Sequence, residues 1–262
     1  MGDDKKKKKL PQDPLDTTMS LGDHLEELRM RILFALAGLL VAVIVCLIPF
    51  FFNYIKSFIY YPLETVPEKV ELIALAPADP FIVYMKIATI AGLIISSPWV
   101  FYQLWLFVAA GLYPHERRYV HIAIPFSAIL FAAGALFFLF LIAPLSLRFF
   151  VGFGKFIGVE AKWTLEKYIS FITMLMLVFG LGFQTPIAIF VLNRTGLVSI
   201  QALRRARKYV LLAAFIVAAV ATPGPDVISQ VALAIPLYLL FELGMLLSYF
   251  TGRKKKSQNN QP

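Results

Sequence analysis

Residues Ile32–Phe52 read ILFALAGLLVAVIVCLIPFFF, an unbroken apolar stretch with no charged side chain. A helix of ~20 residues at ~1.5 Å per residue covers the ~30 Å of hydrocarbon in a bilayer, so this stretch is long enough to cross one. Lipid accepts only helices and closed barrels as spanning structures, and a continuous run rather than an alternating one selects the helix. The rest of the chain repeats the pattern: 59% of its 262 residues are hydrophobic, 24 are Phe and only 16% are charged. Mean hydropathy is +0.75, far from the balance of a soluble domain. The fold class expected is an all-α, polytopic membrane protein. The single cysteine, Cys46, lies inside the first apolar run, which rules out an intrachain disulfide and leaves the redox compartment unread.

Working outward, Met1–Ser20 is a charged, turn-rich tail, MGDDKKKKKLPQDPLDTTMS. It lacks the short apolar core and small-residue cleavage site of a secretory signal, so the first helix is expected to be retained. Residues 1–19 are expected to be a disordered basic tail, 20–252 the membrane domain and 253–262 a second basic tail. The first span is Ile32–Phe52, followed by a loop over Asn53–Pro80 in which YPL and APADP break helices. Phe81–Val108 forms the second span, kinked at Pro98, and Tyr119–Ile142 the third, stopped by Pro144. Arg148, Lys155, Lys162 and Lys167 then occupy a loop. Tyr168–Leu192 is the fourth span, and Tyr209–Ala221 and Val227–Phe250 are the short fifth and sixth, which makes six. The fifth is about 20 Å long, which calls for a locally thinned bilayer or for a helix that borrows basic residues from RRARK by snorkelling. Lys and Arg collect on one side: the tail lysines, Arg29, Arg31, Arg117, Arg118, Arg194, Arg204, Arg205, Arg207, Lys208 and the final RKKK. Both termini are therefore expected to be cytoplasmic.

Two charged clusters stand at that face: DHLEELRMR, Asp23–Arg31, and YPHERRYVH, Tyr113–His121. In the first, Ser20 and Asp23 have the spacing of a capping box, Leu21, Leu25 and Leu28 form one stripe, and His24, Glu27 and Arg31 another. Glu27 precedes Arg31 by four residues, the favourable order for an intrahelical ion pair. HERRY is one residue type away from a zinc-binding H-E-x-x-H, but its fifth position is Tyr119, and His121 is out of register. No G-x-S-x-G and no Cys/His cluster is present either, so nothing points to an enzyme, a metal or a cofactor. The pI of about 9.6 does not indicate nucleic acid, because the basic residues are spent at membrane edges. A carboxylate at a membrane edge is, however, a good acceptor for a guanidinium, which bonds it through two parallel contacts. Glu242, an ionisable residue in the sixth span, is either a functional group or a paired residue holding helices together. Lys86, near the outer end of the second span, reads as a snorkelling lysine.

HLEELRMR, SSPWVFYQLWLFVAAGLYPHERR, ATPGPDVISQ and AIPLYLLFELG, spread from Leu21 to Gly244, resemble the signature segments of TatC, the multispanning receptor subunit of the twin-arginine protein translocase. The resemblance implies six helices in a curved, glove-like bundle in the cytoplasmic (inner) membrane. It implies export of folded proteins driven by the proton-motive force, without a cofactor. It further implies that Glu27 and Glu116 receive the paired arginines of a signal peptide, supported by His24, Arg29, Phe107, His115 and Arg117. Gln184, Thr222, Asp226 and Gln230 would form the polar sites at which single-span partners of the TatA/TatB type dock. Self-association into a multi-subunit complex is also implied. Gln184 stands where many relatives carry an acid, and Ala110 where many carry Pro. The rival reading, a small-solute or ion transporter, needs polar groups converging at mid-membrane or internal repeats, and no convincing repeat relates the two halves.

Overall fold

The computed structural model describes residues 21–67, 70–112, 117–221 and 227–258. It is built from nine helices and one two-stranded sheet among those residues. The first helix, α1 (Leu21–Leu47), stops two residues before Pro49, which opens a new helix, α2 (Pro49–Glu64). Both expectations for this region need correction. The first span ends at Leu47 rather than Phe52, and the YPL segment does not break a helix: Pro62 lies inside α2. Proline lacks an N–H and is best tolerated at the first positions of a helix, which is why Pro49 restarts one where a longer span was expected.

The APADP segment does end the loop. Asp79 Oδ2 accepts hydrogen bonds from the backbone N–H groups of Leu75 (2.9 Å) and Ala76 (3.0 Å), and α3 (Asp79–Ala110) begins there. The third span is longer than Tyr119–Ile142. From α4 (Arg117–Phe137) the chain passes through a π-helical turn, Phe138–Ile142, straight into α5 (Ala143–Phe156). Pro144 is absorbed rather than terminating, because the wider turn reroutes the backbone, with the N–H of Ala143 bonded to the carbonyl of Phe138. Arg148 and Lys155 consequently lie on a helix instead of in a loop.

Beyond α5 the chain adds a strand, β2 (Lys162–Thr164), which pairs in parallel with β1 (Glu71–Ile73) in the register Glu71↔Lys162, Leu72↔Trp163, Ile73↔Thr164. This small sheet ties the two longest connections together and is, among the described residues, the one departure from an all-helical fold. The fourth span divides into α6 (Leu165–Gly182) and α7 (Thr185–Arg194), with Pro186 in the first turn of α7. Next, α8 (Ile200–Ala221) runs back through Arg204, Arg205, Arg207 and Lys208, so the short fifth segment is the apolar half of a 22-residue helix. The last helix is α9 (Val227–Gln258), whose 32 residues correct the expectation of a short sixth helix, because the helix runs on past the apolar segment into the basic residues that follow it.

Five of the described segments are long and apolar enough to cross a membrane: His24–Leu47, Asp79–Ala110, Tyr119–Phe156, Leu165–Arg194 and Gln230–Phe250. The charged first half of α8 keeps it out of that set. The core lies between α3, α4 and α6, where Phe138, Phe179, Ile169, Ile172 and Leu175 are fully buried. Helices without a hydrophobic drive in lipid associate through close backbone approach, and glycine allows it. A Cβ on Gly134 of α4 would stand 2.6 Å from the Phe179 carbonyl of α6, and one on Gly92 of α3 would stand 2.9 Å from the Val43 backbone of α1.

Candidate functional site

The start of α1 meets the end of α3. His24 stacks on Phe107 with ring centroids 4.5 Å apart and 24° between planes. The chain leaves α3 at Gly111, where a Cβ would lie 3.4 Å from His24 Cε1. One turn along α1, Arg31 Nε donates to Glu27 Oε1 at 2.7 Å, the ion pair expected from the spacing. The same guanidinium donates through Nη1 to Oε1 of Gln103 at 3.1 Å, and Gln103 is buried on α3. Glu27 is thereby held in one orientation by a cation that is itself anchored to the next helix. Its side chain keeps 27% exposure, and Oε2 has no protein partner among the described residues. Farther along, Trp99 Nε1 donates to the carbonyl of Phe34 at 2.8 Å, which joins the two helices again. Arg29 is exposed on α1, and two residues from Glu27 along a helix it lies on the opposite side from the stripe of His24, Glu27 and Arg31.

Glu116 and His115 lie outside the described residues; Arg117, which follows them, is exposed at the first position of α4. Thr222 and Asp226 also lie outside the described residues. Gln184 and Gln230 both donate to backbone carbonyls of neighbouring helices: Gln184 Nε2 to Ser127 of α4 at 2.8 Å, Gln230 Nε2 to Phe215 of α8 at 3.0 Å. The two amides thus satisfy different helix pairs. Glu242 takes the paired alternative: Arg207 Nη2 donates to Oε2 at 2.7 Å, and the Tyr238 hydroxyl donates to Oε1 at 2.7 Å. Among the described residues no group of three or more His, Cys, Asp or Glu side chains is placed to hold a metal ion.

The family described as "TatC: Sec-independent protein translocase protein (TatC)" matches residues 23–236. The chain belongs to the TatC family. The TatC of Carboxydothermus hydrogenoformans is 37% identical over 243 residues, covering 92% of this chain and 98% of its own. That of Escherichia coli K12 is 38% identical over 237 residues, 90% of each chain. A solved structure titled "Crystal Structure of Twin Arginine Translocase Receptor- TatC" superposes with a TM-score of 0.77 at 36% identity, covering 87% of this chain and 98% of the other. This TatC-family chain is accordingly a multi-pass membrane protein and a component of the Sec-independent translocase, a transport subunit rather than an enzyme.

Two side-chain partnerships escaped sequence reading. Gln103 is 72 positions from the arginine it anchors, and a lone amide in an apolar helix carries no spacing signal. Lys86, expected only to snorkel, also has partners on the next helix; Nζ is paired with Glu166 Oε1 of α6 at 2.7 Å and donates to Ser170 Oγ at 2.8 Å. A lysine and a glutamate each near the end of an apolar segment are the one hint the sequence offers, and neither names the other.

Proposed function

We propose that this TatC-family chain is the receptor subunit of a twin-arginine export system and that Glu27 and Glu116 together bind the paired arginines of a signal peptide on folded cargo. The observation that carries the reading is Glu27 itself: a carboxylate oriented by Arg31 and Gln103, partly exposed, beside the stacked His24 and Phe107. A preoriented, partly desolvated carboxylate has lost little freedom by binding and is suited to a forked guanidinium. At ~4 Å and an effective dielectric of ~20 such a pair attracts by about 4 kcal/mol before desolvation is subtracted. Arg29, His115 and Arg117 flank this face in the proposal. The bunching of Lys and Arg supports a cytoplasmic location for it and for both termini, in the inner membrane. With α8 as an additional, short crossing the count is six. Gln184, Thr222, Asp226 and Gln230 are proposed to receive single-span TatA/TatB-type partners, since a polar side chain in lipid gains ~1 kcal/mol from a partner's hydrogen bond. Transport is driven by the proton-motive force, and the subunit self-associates in the working complex.

The test is a synthetic signal peptide with two arginines against the same peptide with two lysines, titrated against the purified chain. Lysine keeps the charge and loses the fork, so the arginine peptide binds more tightly, and charge reversal at Glu27 or Glu116 abolishes the difference. Equal affinity for the two peptides, or export that survives the double reversal, refutes it.

A further inference from the structure

The end of the bundle opposite His24 and Phe107 contains an open cleft of about 800 Å³ between α3, α6 and the last turn of α8. Its rim is charged. Lys86, Glu166 and Lys167 line it, and Lys167 is exposed. Glu166 neutralises Lys86 at 2.7 Å, which leaves one cation in excess. Of the three N–H donors of Lys86, one serves Glu166 and one Ser170, so the third is available to an acceptor in the cleft. Deeper, the walls turn apolar: Ile90 and Leu93 on α3 face the cleft one turn apart, as do Met174 and Leu177 on α6.

Depth decides what fits. The 32 residues of α3 make a helix about 48 Å long against ~30 Å of hydrocarbon, so about 9 Å overhangs at each end when it is centred. Lys86 lies about 10 Å from the start of α3, which puts its ammonium at the boundary where phospholipid phosphates sit. An amphiphile with an anionic head and an apolar tail matches this order of cations above and hydrocarbon walls below. Basic pockets between membrane helices hold anionic headgroups by the same electrostatics.

We infer that this cleft binds one anionic phospholipid, with its phosphate between Lys86 and Lys167 and an acyl chain along Ile90, Leu93, Met174 and Leu177. Native mass spectrometry of the full chain in detergent, titrated with dioleoyl-phosphatidylglycerol or dioleoyl-phosphatidylcholine, tests it. One phosphatidylglycerol is retained per chain, and phosphatidylcholine binds more weakly. Lys167→Gln weakens phosphatidylglycerol about fivefold without changing phosphatidylcholine, and Leu93→Trp, which fills the groove, weakens both. Lys167 touches no charged partner in the ion pair, so the melting temperature of lipid-free K167Q stays at the wild-type value. Equal retention of the two lipids, an unchanged affinity in K167Q, an L93W chain that binds as well as wild type, or displacement of phosphatidylglycerol by inorganic phosphate each overturns the inference.

Discussion

Replacing Glu27 by Gln separates what this side chain does for the fold from what it does for a ligand. The Glu27–Arg31 pair spans one helical turn, with side chains 27% and 29% exposed. Intrahelical pairs of this kind contribute about 0.3–0.5 kcal/mol, and Arg31 keeps its bond to Gln103 in the variant. Unfolding stability should therefore fall by no more than ~0.5 kcal/mol. Binding is another matter, since the amide presents a neutral oxygen to an incoming guanidinium. A hydrogen bond to a charged group contributes about 1.5–3 kcal/mol net, so affinity for a twin-arginine peptide should drop about 10- to 150-fold. Fluorescence anisotropy with a labelled peptide on the detergent-solubilised chain reads the affinity, and a thermal melt of the same sample reads the fold. A loss of less than about threefold in binding, with the melt unchanged, would refute the assignment of Glu27 as a guanidinium acceptor.

Ser127→Ala should cost about 1–3 kcal/mol of stability, because the hydroxyl is fully buried and accepts from Trp105 Nε1 at 2.7 Å, and the indole N–H would be left without a partner; chemical unfolding in mixed micelles measures it. Gly134→Leu should cost at least ~1–3 kcal/mol, since the nearest atom to its Cβ is the Phe179 carbonyl and a backbone cannot rotate aside; a melt that matches wild type contradicts the packing described. Arg207→Met and Glu242→Gln should show a coupling of about 1 kcal/mol in a double-mutant cycle, with each single variant loosening α8 against α9; additive effects would mean that the pair holds nothing.

What was legible in the sequence depended on periodicity and length. The spans announced themselves because a bilayer demands about 20 apolar residues in a row, and the Glu27–Arg31 pair followed from helical spacing alone. The errors cluster at prolines. A proline ends a helix when nothing else supplies the lost bond; Pro62 and Pro144 are both carried inside or into helices, the latter by a π-turn that single-residue rules do not encode. The β1–β2 pairing was invisible because three-residue strands in distant loops show no alternation to detect. Within the candidate site, side chains on one helix were legible and bonds between helices were not: Arg31 to Gln103 and Lys86 to Glu166 depend on which turn of α3 meets which turn of a partner.

That register orients the proposed recognition face of α1, a helix with few of its residues fully buried. Its contacts with α3 climb one helix as they descend the other: His24 with Phe107, Arg31 with Gln103, Phe34 with Trp99, Val43 with Gly92, and the carbonyl of Leu47 with the hydroxyl of Tyr84. The series is a single antiparallel seam without a slip, from the first turn of α1 to its last residue. A helix held at one end alone would fray where its charged residues sit, because the first turn has four unsatisfied N–H groups and no packing to hold it. Here the seam continues past Glu27 to His24, so the carboxylate sits inside the bonded length rather than beyond it. Sliding α1 by one residue would turn its side chains by about 100° and would break every polar contact in the series at once. The direction in which Glu27 points is therefore set by the whole length of the α1–α3 contact, and the cost of reorienting it is spread over five places of which only two touch the site.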